Sequence, residues 1–216
     1  MSRSFKSDSP LFSKLSNFAD MILLNLLTIL CSLPVITAGA AITALYYTMY
    51  KMRNQESNLY RSFFKSFKEN FKQATILWVI LLVVGVGICV CIMLYNYMNI
   101  PILLACSILG LLIWGAVVSW VFPLLSRFQS TTFGALRNAM LFGTSYFILS
   151  VSMTLVNLIP LAIFLFVPDI FIYLSPLWLF IWFSFAAWCN TGLLKVPFSA
   201  VTEQLEAKEN KADSEE

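Results

Sequence analysis

Apolar residues occur along this chain in long uninterrupted blocks, and the charged residues are confined to the segments between them. No Asp, Glu, Lys or Arg occurs in residues 21–50, 73–126, 138–168 or 170–194. A membrane-spanning helix needs about 20 apolar residues, and the second block holds two such lengths. A membrane β-barrel would instead show short segments of alternating apolar and polar residues. The pattern predicts an all-α, polytopic membrane protein with about five to six membrane-embedded helices.

Proline and its neighbours set the predicted helix boundaries. Pro101 suits the first turn of a helix, because the amide that it lacks would be unpaired there anyway. Ser175 and Pro176 form an N-cap followed by a proline, whereas Pro160 is expected to kink its helix. A single membrane domain, residues 18–198, is therefore predicted between polar tails at 1–17 and 199–216. Its later spans are expected at 74–95, 101–125, 139–166 and 176–194.

The first apolar block contains a proline near its middle. As one helix, residues 21–50 would be about 45 Å long, against a hydrocarbon core of about 30 Å. Pro34 removes an amide donor and clashes with the preceding turn, and Thr37 can cap a new helix beginning at Ala38, just before Gly39. We therefore predict a broken helical hairpin with limbs at 18–33 and 38–53. Each limb is short for an ideal span, so full crossing of the bilayer stays open.

A cleaved signal peptide is the alternative interpretation of this block. A basic flank, an apolar core and the sequence Ala38-Gly39-Ala40 imitate a cleavage site. However, the apolar sequence continues to Tyr50, and cleavage would leave a basic segment at 51–72 to be placed. The hairpin is favoured for these two reasons.

The pattern of aromatic and basic residues in 58–73 predicts an amphipathic helix. At about 100° per residue, its aromatic and basic side chains point in two directions about 110° apart. The aromatic residues are Tyr60, Phe63, Phe64, Phe67 and Phe71, and the basic residues are Arg61, Lys65, Lys68 and Lys72. Such a helix is expected to lie in the membrane interface, with its rings among the headgroups and its cations facing anionic lipid. The alternative is docking to a cytoplasmic partner or to a neighbouring subunit.

The positions of Lys and Arg predict the topology, because cytoplasmic segments are enriched in these residues. Basic residues occur in the N-terminal tail, in the connectors at 51–72 and 126–138, and at Lys195, after the last span. The turns near 96–100 and 168–175 have none. We therefore expect a multi-pass protein of the cell membrane with both termini in the cytoplasm.

Polar residues inside the apolar blocks are few and uncharged. Asn25, Asn157 and Asn190 are expected to bond neighbouring helices, an interaction worth about 0.6 kcal/mol on average. No charged residue lies at mid-depth of a predicted span, which disfavours a proton-coupled carrier.

The composition narrows the chemistry further. The chain of 216 residues is 59% apolar and 12% charged, with no histidine and five cysteines that form no CxxC pair. Without histidine the commonest general base is missing, and no metal-ligand or phosphate-loop motif occurs. The sequence therefore predicts no catalytic residue, no metal and no cofactor, and we do not expect an enzyme. The basic segment is too small and too close to the membrane to indicate nucleic-acid binding.

Two segments together resemble the YesL family of membrane proteins from Gram-positive bacteria. The first is N-L-x-x-x-x-x-S-L-P-V-x-T-x-G, matched from Asn25 to Gly39. The second, F-x-x-x-F-K-x-N-F-x-Q-A, is matched from Phe63 to Ala74. The family has no assigned activity, but its members are often encoded beside carbohydrate ABC transporters. The resemblance therefore implies an accessory or regulatory component of carbohydrate ABC transport, with transporter subunits or a second copy of the chain as partners. The alternative is a small stand-alone transporter or channel with a cavity at the Pro34–Gly39 break.

Overall fold

The computed structural model describes residues 10–56, 58–128 and 130–203, and these ranges contain helices and no strands. The elements, in chain order, are α1 (Pro10–Ser32), a 3₁₀ turn (Val35–Thr37), α2 (Ala38–Arg53), α3 (Leu59–Met98), α4 (Pro101–Arg127), α5 (Thr132–Ser145), α6 (Phe147–Phe166), α7 (Pro168–Tyr173), α8 (Ser175–Leu193) and α9 (Lys195–Glu203). The outer parts of the predicted tails, 1–9 and 204–216, lie outside the described residues, whereas 10–17 already belong to α1.

Four of these helices, α1, α3, α4 and α6, are long and apolar enough to cross a membrane. The pair α8 and α9, which is bent by 50°, raises the number to five if it forms one broken span. The prediction of a polytopic all-α membrane protein is confirmed, with four to five candidate spans.

The second limb of the hairpin, α2, is the most enclosed helix of the described fold. It packs against α1, α3, α4 and α8, and Ala40, Ala41 and Ala44 are completely buried. Small side chains let neighbouring helices approach closely in a membrane protein. The composition of α2 thus explains its central position, and the helix begins at Ala38, where the break at Pro34 predicts it.

The helix α3 is longer than the sequence suggests. It runs for 40 residues without interruption, a length of about 60 Å. The interfacial helix expected at 58–73 and the span expected at 74–95 are therefore one element, which differs from the prediction of a separate amphipathic helix. No Gly or Pro lies between Leu59 and Ile80, so nothing in this stretch requires the helix to stop.

The third predicted span begins later than expected. Instead of one helix at 139–166, α5 ends at Ser145 and α6 begins at Phe147, after a break at Tyr146. The Ser150 hydroxyl donates to the carbonyl of Gly143 at 2.9 Å, and the indole of Trp120 donates to Ser150 Oγ at 2.7 Å. These side-chain bonds hold the break against α4, a constraint that hydropathy does not reveal.

The hairpin lies beside only the first half of α3. Tyr60 donates to Asp20 of α1 at 2.6 Å, and the indole of Trp78 donates to the Val35 carbonyl at 2.7 Å. The apolar surface of α1 is thus level with the basic part of α3, while residues 74–98 continue for about 37 Å.

Candidate functional site

The helix break at Pro34–Gly39 is stabilised from within the chain. The Thr37 hydroxyl donates to the carbonyls of Cys31 and Pro34, at 2.6 and 2.8 Å. Thr37 precedes α2 as predicted, but its side chain makes no capping bond to that helix. The prediction that Thr37 caps α2 is therefore wrong. Its hydroxyl donates instead to the carbonyl of Cys31 in the last turn of α1 and to the carbonyl of Pro34, which also accepts from the Thr37 amide.

The break is also closed against α3. A Cβ atom added to Gly39 would lie 2.6 Å from the Ala74 carbonyl oxygen and 2.6 Å from Trp78 Cβ. Only glycine permits this approach of α2 to α3. On the other side, Leu33, Val35 and Ile36 expose apolar side chains. The break thus pairs its polar groups internally and presents an apolar outer surface.

Asn25 connects two helices at an irregular turn. Its Nδ2 atom donates to the Leu179 carbonyl at 2.6 Å, and its Oδ1 atom accepts from the Ser184 amide at 3.0 Å. Both backbone groups belong to α8, in and just after the π-helical turn Trp178–Trp182, where the regular bonding ladder is disturbed. Asn25 therefore joins α1 to α8 at the π-helical turn.

The other two intramembrane asparagines lie together. Asn190 Nδ2 donates to the Tyr46 hydroxyl at 2.9 Å and to Asn157 Oδ1 at 3.1 Å, which joins α8 to α2 and α6. Asn190 is completely buried, whereas Asn157 is exposed. The pair again connects helices, and the residues described provide no donor to Asn190 Oδ1.

The amphipathic part of α3 divides its aromatic residues between the interior and the surface. Phe63 is completely buried and Phe67 half-buried, and their rings stack at 6.5 Å. Tyr60 is anchored to Asp20 of α1. The exposed remainder, here called the basic stripe, consists of Arg61, Phe64, Lys65, Lys68, Phe71 and Lys72. Rings and cations therefore share one exposed surface, so the predicted division into two faces holds only in part.

A polar pocket lies beside the basic stripe, and the sequence does not reveal it. Its volume is about 700 Å³, and it lies between α2, α3 and the segment that follows α4. The residues that line it are Tyr47, Lys65, Ser66, Glu69, Asn70, Gln73, Leu125, Ser126, Arg127, Phe128 and Ser130. Residues more than fifty positions apart meet here, so no local motif announces the site.

Hydrogen bonds hold the walls of this pocket. Gln73 Nε2 donates to the Ser130 carbonyl at 2.7 Å, and Asn70 Nδ2 donates to the carbonyl and hydroxyl oxygens of Ser66. The first bond ties the segment after α4 to α3. The bonds from Asn70 to Ser66 lie within α3, so the bond from Gln73 to Ser130 is the one that fixes two walls relative to each other.

The charges at the pocket are unevenly paired. Lys65 and Glu69 are 3.9 Å apart and mostly exposed, so their attraction is weak. The Arg127 guanidinium lies 5.5 Å from the ring centre of Tyr50 and 5.9 Å from that of Phe198. Beyond the pocket wall, the hydrogen bond from Lys51 to Glu56, with a separation of 3.0 Å, raises the pKa of Lys51.

A second site that the sequence does not reveal is the contact of Arg53 with the end of α8. Arg53 Nε donates to the Thr191 hydroxyl at 2.8 Å, Nη2 donates to the Trp188 carbonyl, and the guanidinium lies 4.5 Å from the Trp188 ring centre. Gly192 leaves room for the guanidinium, since an added Cβ would lie 2.9 Å from Nη2. This contact fixes the end of α2 to the bend between α8 and α9.

The fold defines a class, a multi-pass α-helical membrane protein, in which a packed hairpin lies beside a long amphipathic helix. Within this chain, residues 21–97 match the model of a family described as "Protein of unknown function, DUF624". The match covers the hairpin from Met21 onward, the basic stripe and nearly all of the apolar part of α3. No curated protein and no solved structure matches the chain.

Proposed function

We propose that the chain is a non-enzymatic accessory or regulatory component of the bacterial cell membrane, with both termini in the cytoplasm. In this proposal it joins a larger membrane assembly through the basic stripe. The resemblance to the YesL family suggests the subunits of a carbohydrate ABC transporter as the partner. Self-association is the second kind of partner that such a surface would serve.

The observation that carries this proposal is the exposed surface of α3. Phe64 and Phe71 are 44% and 40% exposed, between the exposed cations Arg61, Lys68 and Lys72. Aromatic residues and Arg are enriched at protein–protein interfaces. The buried rings of the same helix fix its position, so the surface is presented on a rigid element.

Anionic headgroups would bind the same cations, and lipid contact is the simpler role of the stripe. Phe63 is not available for insertion among headgroups, because it is buried in the fold, and Phe67 is half-buried. This division of the rings favours a protein partner as the additional role.

The test is affinity purification of the full chain from native membranes in a mild detergent. We expect transporter subunits to copurify, and we expect the double variant R61E/K68E to lose them. R137E is the matched control, because Arg137 is an exposed cation on α5, outside the stripe. Repeated recovery of the protein without any partner, or equal recovery with R61E/K68E, would contradict the proposal.

The alternative of a stand-alone transporter or channel relied on a cavity at the Pro34–Gly39 break. Trp78 and the Ala74 carbonyl occupy the space beside Gly39, so the break lends this alternative no support. Solute flux into liposomes that contain only this protein would support the hypothesis of a stand-alone transporter or channel.

A further inference from the structure

The polar pocket brings together two cations from different helices. Lys65 projects from the basic part of α3, and Arg127 is the last residue of α4. We propose that the pocket binds a phosphate group, carried either by an anionic lipid headgroup or by a soluble phosphate compound.

Arg127 supplies the first argument for an anionic ligand. In the part of the chain that the structure describes, no carboxylate lies within 4.0 Å of its guanidinium. The rings of Tyr50 and Phe198 lie beside this group instead, and no acceptor for its N–H groups is found among the described residues. A guanidinium matches the geometry of a phosphate with two parallel hydrogen bonds.

Lys65 supplies the second cation. It can exchange its contact with Glu69 for a contact with a ligand at little cost in folding free energy. Its separation of 3.9 Å from Glu69 is long for a charge-assisted hydrogen bond, which is usually about 2.7–2.9 Å. Both side chains are at least 60% exposed, so the pair contributes little to folding. A phosphate in the pocket would offer Lys65 a stronger acceptor.

Uncharged donors complete the site. Ser66 Oγ accepts a hydrogen bond from Asn70 at 3.2 Å, which leaves its hydroxyl proton for a ligand. Ser130 is held in place through its carbonyl by Gln73, and it also lines the pocket. Hydroxyl groups and cations on rigid helices are the donors that phosphate sites use.

The size and position of the pocket fit this ligand. Its volume of about 700 Å³ lies within the usual range for small-molecule sites. It adjoins the point of α3 where the last charged residue, Lys72, gives way to the apolar segment. Such a transition lies at the level of lipid headgroups, so a membrane-derived phosphate has direct access.

The experiment uses the full chain in nanodiscs of phosphatidylcholine and has two arms. One titrates inorganic phosphate and glycerol phosphate by calorimetry, and the other measures the Tm as phosphatidylglycerol replaces part of the lipid. Binding in the first arm assigns a soluble compound, and a rise in Tm in the second arm alone assigns a lipid headgroup. Either result supports the proposal, and the absence of both overturns it.

Variants test whether the binding occurs in the pocket. Loss of one charge-assisted hydrogen bond weakens binding about tenfold, so Lys65→Gln and Arg127→Gln should each have this effect. Lys68→Gln is the matched control, because Lys68 is an exposed cation of the same helix that does not line the pocket. Equal weakening by Lys68→Gln would show diffuse surface attraction and contradict the proposal.

Two further measurements keep the result interpretable. If Arg127→Gln fails to fold, Arg127→Lys replaces it in the measurement. Lysine retains the positive charge but cannot form the two parallel hydrogen bonds of a guanidinium, so this variant should still bind phosphate more weakly than the unchanged chain. The variant R61E/K68E alters the basic stripe but not the pocket lining, so it should retain phosphate binding even where it loses protein partners. Failure of the pocket proposal is thereby separated from failure of the proposed function.

Discussion

The helix break and the polar pocket are the two places where polar groups interrupt the apolar helices, and they differ in how those groups are paired. At the break, Thr37 and Trp78 donate hydrogen bonds to the carbonyls of Cys31 and Val35, and Gly39 lets α3 close over the gap. At the pocket, Arg127 and Lys65 face an open space with little compensation. We infer from this contrast that an irregular backbone need not mark a binding site, whereas a cavity lined by weakly compensated cations is a candidate for one.

The largest effect is expected from a side chain placed in the closed break. Gly39→Ala puts a Cβ atom 2.6 Å from a backbone oxygen that cannot move easily. Overpacking of this kind costs about 1–3 kcal/mol, and we expect the upper end of that range. Thermal unfolding in detergent measures the change.

Gly87→Ala is the matched control for this variant. Gly87 is likewise a helical residue, in α3, and a Cβ added there meets nothing within 4 Å. Because Ala favours a helix over Gly, the control should keep or slightly raise the Tm. If Gly39→Ala unfolds at the same temperature as the control, the break is not closed.

The next largest loss of stability is expected from removing the Asn25 side chain, which is buried and forms hydrogen bonds with α8. Asn25→Leu leaves the Leu179 carbonyl and the Ser184 amide unpaired, at a cost of about 2 kcal/mol. Asn157→Leu should cost less, because Asn157 is exposed and gives up one side-chain bond. Equal losses in Tm would refute a structural role for Asn25 at the π-helical turn.

A smaller effect is expected from Trp78→Phe, which keeps a ring against α2 but removes the indole donor. The Val35 carbonyl loses one hydrogen bond, worth about 1 kcal/mol. Hydrogen exchange of the Val35–Thr37 turn should also quicken. An unchanged Tm together with unchanged exchange would show that the indole bond does not hold the break.

The smallest effect on stability is expected at the pocket itself. Lys65→Gln breaks a pair that is long and exposed, so the free energy of unfolding should change by less than about 0.5 kcal/mol. A large loss of Tm would mean that Lys65 serves the fold rather than a ligand.

Much of the fold is predictable because membrane-spanning helices require long apolar segments, which are easily recognised in the sequence. The break at Pro34 and the start of α2 follow from local rules for proline and helix length. The end of α5 at Tyr146 does not, because it depends on bonds from Ser150 to Gly143 and from Trp120 on α4. Local rules therefore give the elements but miss interruptions that a neighbouring helix imposes.

The candidate site is less predictable than the fold. Amphipathic periodicity identifies the basic stripe, but it does not show that Phe63 packs inward while Phe64 stays exposed. The pocket depends on Arg127 reaching the level of Lys65, which requires the antiparallel packing of α3 and α4. Arg53 and Gly192 likewise meet only through the tertiary fold. Residues that meet only through the tertiary fold have no fixed spacing in the sequence, so no local sequence pattern predicts their contacts.

The most direct test of the contrast between closed break and open pocket is a pair of single cysteines. Ala38→Cys and Ser130→Cys would be placed separately in a chain whose five cysteines, all of them free thiols, are replaced. Inside-out membrane vesicles are then treated with a membrane-impermeant maleimide. We predict rapid labelling at position 130 and much slower labelling at position 38, which is half-buried at the start of α2. Comparable labelling of both positions in the folded protein, or of position 38 alone, would contradict the account.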